Sequence, residues 1–165
     1  MPAKKAAGRR SAAKKAAPPA KKAAPHAMPA AKPARKATAK RPQPVEEEGL
    51  RLAVVAARLA EDIKAEDIIV LDVSAVSSIT DYFVICSGSS APHLKAIARE
   101  VRAGMAESQG VKPTTAEGNH ESQWVVLDYG ILMVHAFHPE KRTMYALEDL
   151  WGDAKRVDWR ACALT

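Results

Sequence analysis

Cysteine is nearly missing from this chain of 165 residues: Cys86 and Cys162 are the only two, too few for a disulfide framework and in keeping with a reducing compartment. Aromatics are scarce too, with three Trp, three Tyr and two Phe, so an aromatic residue in an exposed turn or corner needs a reason to be there. No run of about 18 apolar residues is present to span a bilayer, and no apolar signal core precedes the rest. A cytoplasmic location is therefore expected. Residues 1–44 contain no acidic and no aromatic residue, yet carry 13 of the 25 Lys and Arg. The remainder holds 12 bases against 19 acids, a net of −7 hidden beneath the overall +6.

Eight of the 11 prolines also fall in that first segment, and Ala, Lys, Arg and Pro make up nearly all of it. Such a composition buries too little apolar surface to offset the entropy of ordering. Residues 1–45 are thus expected to be a disordered basic arm, with helix formation interrupted by proline. Its Lys4, Lys5, Arg9, Arg10, Lys14, Lys15, Lys21 and Lys22 are phosphate-seeking charges, suited to loose RNA or DNA contacts that ignore sequence and weaken with salt. Two other readings stay open, a solvated tail that lends solubility and an organelle transit peptide, although transit peptides favour Arg and Ser over the Lys found here.

About 120 residues follow, enough for one core. Leu52, Val55, Ala56, Leu59 and Ile63 recur at helical spacing between Gly49 and Glu66. Ile68 to Val73 and Tyr82 to Cys86 are continuous apolar runs that read as strands covered on both faces. Ser90 before Ala91-Pro92 caps a helix that runs to about Gln109 and stops at Gly110. Trp124 to Asp128 and Leu132 to Phe137 read as an antiparallel pair closed around Tyr129-Gly130. Pro139 opens a last helix with Met144, Leu147 and Leu150-Trp151 at apolar spacing. The predicted order is α-β-β-α-β-β-α: a single small α/β (α+β) domain over residues 46–155, a mixed sheet flanked by helices, followed by a C-terminal tail over 156–165.

Chemistry is hard to find in this pattern. Gly88-Ser89 between a strand and a helix has the form of a phosphate-cradling turn, but the next residues, APHLKAIARE, supply no acidic pair for metal ions. Phosphoryl transfer would have to recruit Asp72, Asp81 or Asp128, and helix capping explains the serines more simply. His120, His135 and His138 do not form a ligand set, since His135 and His138, read as three apart on a strand, project to opposite faces. His135 reads as a sheet residue with a satisfied ring nitrogen, and Cys86 as a small core residue. No catalytic residue, metal or cofactor is expected. Trp124, Tyr129, Lys141, Arg142, Tyr145 and Trp151, by contrast, are types that favour interfaces. Trp124 divides between half-buried core and interface anchor, whereas Tyr129, in a turn, is expected to be exposed.

The motifs DVSAVSSITDYFVICSGSS, EG, WVVLDYG, VHAF and KRTMYALEDLW, in that order and spacing, resemble the ribosomal silencing factor family, also called Iojap-like proteins, over about Leu50 to Trp151. The resemblance implies a nucleotidyltransferase-like fold without the catalytic acids. It implies binding to the large ribosomal subunit through ribosomal protein number fourteen, steric block of small-subunit joining and repression of translation in nutrient limitation. It also brings an association with homodimers. Carried onto this chain, it points to Trp124, Asp128, Tyr129, Lys141, Arg142 and Tyr145 as docking residues, with Asp81 and Tyr82 as weaker candidates. One departure is Ile131, where the family usually carries an acid after Tyr129-Gly130; local repacking and a re-tuned docking face both fit it. The rival readings are a nucleotide-binding or nucleotidyltransferase-like enzyme using Asp72, Asp128 and Ser89, and a nucleic-acid-binding protein acting through the arm.

Overall fold

The computed structural model describes residues 43–118 and 123–163. Helix α1, Gln43–Asp62, begins before the expected Gly49, because proline is tolerated in a first turn. It also stops short of Glu66. Lys64 turns left-handed at φ 64, the Ala65 N–H donates back to the Ala60 carbonyl, and Glu66 opens a strand instead. Helix α2, Ala91–Gln109, matches its sequence signals at both ends: the Ser90 side chain accepts from the His93 N–H, and Gly110 ends the helix at φ 68.

Strands β1 (Glu66–Asp72), β2 (Tyr82–Ser87), β3 (Thr115–Glu117), β4 (Trp124–Asp128), β5 (Leu132–Phe137) and β6 (Lys155–Val157) form one mixed sheet in the order β3-β4-β5-β2-β1-β6. β2 and β5 run parallel; the other neighbours are antiparallel. The two edge strands are three residues each, too short to print a period of two on the sequence. β2 is buried along its whole length, as its unbroken apolar run implied, whereas β1 is exposed at its start.

Alternation sorts the sheet into two faces. Val70, Tyr82, Val84, Cys86, Val125, Leu127, Leu132, Val134 and Ala136 turn toward Leu52, Val55 and Ala56 of α1 and Leu94, Ile97, Val101 and Met105 of α2. Phe83, Ile85, His135 and Phe137 turn the other way, as does Trp124, which pairs with Phe137 across β4 and β5. Over that second face lies a corner made of α3 (Pro139–Tyr145) and α4 (Leu147–Leu150) in place of one continuous helix. The break is at Ala146, at φ 42 and ψ 50. It rotates the expected apolar stripe apart: Leu147 and Trp151 are buried, but Met144 and Leu150 face solvent, 59% and 46% exposed.

Of the residues expected to be a C-terminal tail, those described, 156–163, belong to the fold. β6 pairs with β1, the Trp159 ring is buried in the core with its indole N–H donating to the Ile68 carbonyl at 3.4 Å, and Arg58 donates to the Cys162 carbonyl at 2.7 Å. The basic residues named in the arm, Lys4 to Lys22, lie outside the described residues, as does His120.

Candidate functional site

The half-buried Trp124 is the centre of an aromatic group built on the second face of the sheet. Its ring stacks on Phe137 at 4.9 Å between centroids and meets Tyr145 of α3 at 4.8 Å. Its indole N–H donates to His135 Nδ1 at 3.4 Å. Trp124 is thus half-buried, packed against Phe137 and Tyr145 with part of the residue left exposed.

His135 is fully buried, and burial pushes its pKa down to about 4. Because Nδ1 accepts from Trp124, the neutral ring carries its proton on Nε2, and that atom has no hydrogen-bond partner. The expectation of a satisfied ring nitrogen holds for one nitrogen only. The ring instead meets Phe83 in a T-shaped contact at 5.1 Å. His138 is not on the strand, which ends at Phe137; it is the N-cap of α3. Among the described residues no group of three His, Cys, Asp or Glu is placed to hold a metal ion. Cys86 is a core residue, and burial pushes its thiol up to about 12 against the opposing Arg142 cation.

The remaining predicted docking residues do not all reach the surface. Lys141 and Tyr145 lie half-exposed on α3, in reach of a partner. Asp128 is half-buried, and its Oδ1 accepts from the Gly130 N–H at 2.7 Å, which shapes the hairpin turn. Asp81 and Tyr82 are buried at 5% exposure each, a correction to their reading as docking candidates. The Tyr82 ring packs so closely on α1 that a side-chain carbon at Gly49 would come within 2.7 Å of it. Tyr129 is also corrected: the turn is exposed at Gly130, but the Tyr129 ring packs against the helix-side core and its hydroxyl is buried. Burial raises that hydroxyl to about 12 although the Arg102 cation opposes it. Ile131 packs beside it against the same core and lies near Gly49, so the departure at this position is accommodated by packing.

Arg142 is the clearest correction. Its side chain is 11% exposed and turned inward, with Nε donating to Glu148 Oε1 at 2.6 Å and Nη1 to Ser87 Oγ at 2.8 Å. A cleft of about 480 Å³ opens beside it, lined also by Asp67, Asp149 and Arg156.

The enzyme reading asked for Asp72, Asp128 and Ser89 together. The registers place Asp128 level with Phe83 and Asp72 level with Tyr82, so the two carboxylates point to opposite faces. Both lie at the start of β2, and Ser89 lies past its end, at least about 13 Å further along the strand. The fold does not assemble that site. What the sequence missed is that Met144 is exposed next to Tyr145; alanine is the strongest helix former, so nothing signals a break at Ala146.

A family model described as "Ribosomal silencing factor during starvation" matches residues 46–164. The chain is similar to Ribosomal silencing factor RsfS of Bacillus subtilis, 43% identical over 104 residues that cover 63% of this chain and 87% of the relative. It is similar to mouse Mitochondrial assembly of ribosomal large subunit protein 1 at 35% identity, over 53% of this chain and 39% of that one. A crystal structure of a Chromobacterium violaceum protein superposes with a TM-score of 0.60 at 34% identity, over 66% of this chain and 86% of that chain.

Proposed function

Since this chain belongs to the ribosomal silencing factor family, we propose that it binds the large ribosomal subunit through ribosomal protein number fourteen and sterically blocks joining of the small subunit, repressing translation in nutrient limitation. The observation that carries the reading is the Trp124 and Tyr145 pair at the surface of the second sheet face, with Lys141 and the exposed Met144 on the same short helix. A stacked aromatic anchor with an apolar neighbour and a cationic rim has the composition of an interface centre and its surround. The likeness to a mouse protein whose name places it in assembly of the large ribosomal subunit supports the same partner class. Residues 45–165, at a net of −7, would be drawn toward a basic ribosomal protein, and the aromatic pair would set how long the complex lasts. The basic arm adds nonspecific contacts with ribosomal RNA, and the work is done in the cytoplasm.

The test is sedimentation of purified protein with separated subunits, comparing wild type, Trp124→Ala and Met144→Lys. Met144 is 59% exposed, so its replacement by lysine leaves the core intact while placing a charge in the proposed interface. Wild type should co-migrate with the large subunit and prevent joining, and both variants should lose this. Unimpeded joining at saturating wild-type protein would refute the proposal. Because α1 begins at Gln43, the arm is best removed as residues 1–42. That deletion should flatten the salt dependence of binding without abolishing it; abolition would mean that the docking face is wrongly placed.

A further inference from the structure

The α3–α4 corner carries Tyr145 onto Trp124; α4 is anchored by the buried Leu147 and Trp151, but α3 has little of its own surface to hold it in place. α3 has no buried residue, and the side chain of its N-cap His138 makes no capping hydrogen bond. The chain then turns through Ala146 at φ 42 and ψ 50, a conformation that L-residues avoid. One side of the corner overhangs the cleft of about 480 Å³. The apolar anchors lie after the turn, at Leu147 and Trp151, so α3 draws on other contacts for its position.

Arg142 precedes the turn and Glu148 follows it. Their side chains are 11% and 15% exposed, and the ion pair between them is 2.6 Å long. The second arm of the guanidinium donates to Ser87 Oγ at 2.8 Å, and Ser87 is the buried last residue of β2. One planar fork therefore joins α3, α4 and the central sheet. Lysine carries its donors on one nitrogen and has no planar fork, so it does not reproduce the geometry of these two bonds.

We infer that Arg142 is a positioning residue: it sets the α3–α4 corner so that Tyr145 covers Trp124, and it acts on docking through that placement without touching the partner. This rests on the docking face proposed above, and the test separates the two. Arg142→Lys, Glu148→Gln and the double variant are compared for the Tyr145 and Trp124 ring resonances in NMR spectra and for affinity to isolated large subunits. Each single change should shift the Tyr145 resonances and weaken binding by about tenfold, the size of a typical coupling within one ion-pair network. The double variant should bind no more weakly than the worse single one. If Arg142 touched the partner directly, Glu148→Gln would leave both the Tyr145 resonances and the affinity unchanged, and that result overturns the inference. Ser87→Ala, which removes one acceptor only, repeats the comparison should a charged-pair variant fail to fold. Intact binding by Trp124→Ala would sink the docking face, whereas the Tyr145 resonances would still decide the role of Arg142.

Discussion

His135 ties the stability of this fold to pH. Its ring is enclosed by Phe83, Trp124 and Phe137 at centroid distances of 5.1, 6.0 and 6.2 Å. Burial lowers its pKa from 6.5 to about 4. The unfolded chain therefore takes up this proton first as pH falls, and stability that is complete above about 6.5 is lost progressively down to about 4. The gap of roughly 2.5 units corresponds to about 3 kcal/mol, a large part of the ~5–15 kcal/mol that holds a domain together. The control is His135→Phe, which keeps a flat ring in the box and removes the titration; the Trp124 N–H it orphans lies on a half-exposed residue that water can reach. Urea unfolding of both proteins at steps from pH 7 to 4.5 gives the comparison, and taking the difference cancels the other titrating groups. Wild type should lose more than the variant over that range, by most of the ~3 kcal/mol. Parallel curves would refute the reasoning, as would an NMR titration placing the His135 midpoint near 6.5. Since His135 also accepts the Trp124 N–H, its protonation in the folded protein removes that acceptor, and large-subunit binding should weaken only as pH approaches about 4, below most of the range over which stability falls.

Three further outcomes follow from packing. Gly118 sits at φ 89, where a side-chain carbon would lie 2.0 Å from the Trp124 carbonyl oxygen, so Gly118→Ala should cost at least about 2 kcal/mol and detach β3, seen as faster amide exchange at Val126 and Asp128. Trp159→Ala should cost about 3–5 kcal/mol in thermal or urea unfolding, the loss of a core indole, whereas a free tail would give no change. The Cys86 thiol, buried and pushed up to about 12, should resist a thiol reagent at pH 8 until urea unfolds the protein; fast labelling of two thiols in the native state would contradict its burial.

Which parts of the fold the sequence disclosed follows from how many residues carried each signal. α2 was legible from end to end, since Ser90, Pro92 and Gly110 act locally and Leu94, Ile97, Val101 and Met105 repeat over several turns. β2, β4 and β5 were legible because each is at least five residues long and apolar or alternating. β3 and β6 were not, because a three-residue edge strand takes its identity from the neighbour it pairs with. The Trp159 anchor lay after an apparent domain end, and only the sheet edge made by β1 gives it a place to dock.

The proposed docking face shows a different limit. Residue type singled out Trp124, Tyr129, Lys141, Arg142 and Tyr145 together, because aromatics and arginine suit an interface and a strut equally well. Three-dimensional placement divides them: Trp124, Lys141 and Tyr145 lie half-exposed on the second face, the half-buried Tyr129 packs against the helix-side core with its hydroxyl enclosed, and Arg142 turns under its own helix. What divides them is one backbone torsion at Ala146 and one hairpin turn shaped by Asp128, neither of which follows from the character of the side chains they redirect. A face defined this way has a consequence for design. Substitutions at Arg142 or Glu148 should alter docking as strongly as substitutions at the surface, so a binding defect alone does not tell a coupled residue from a touching one: a defect with shifted Tyr145 resonances marks the first, and a defect with unshifted ones the second.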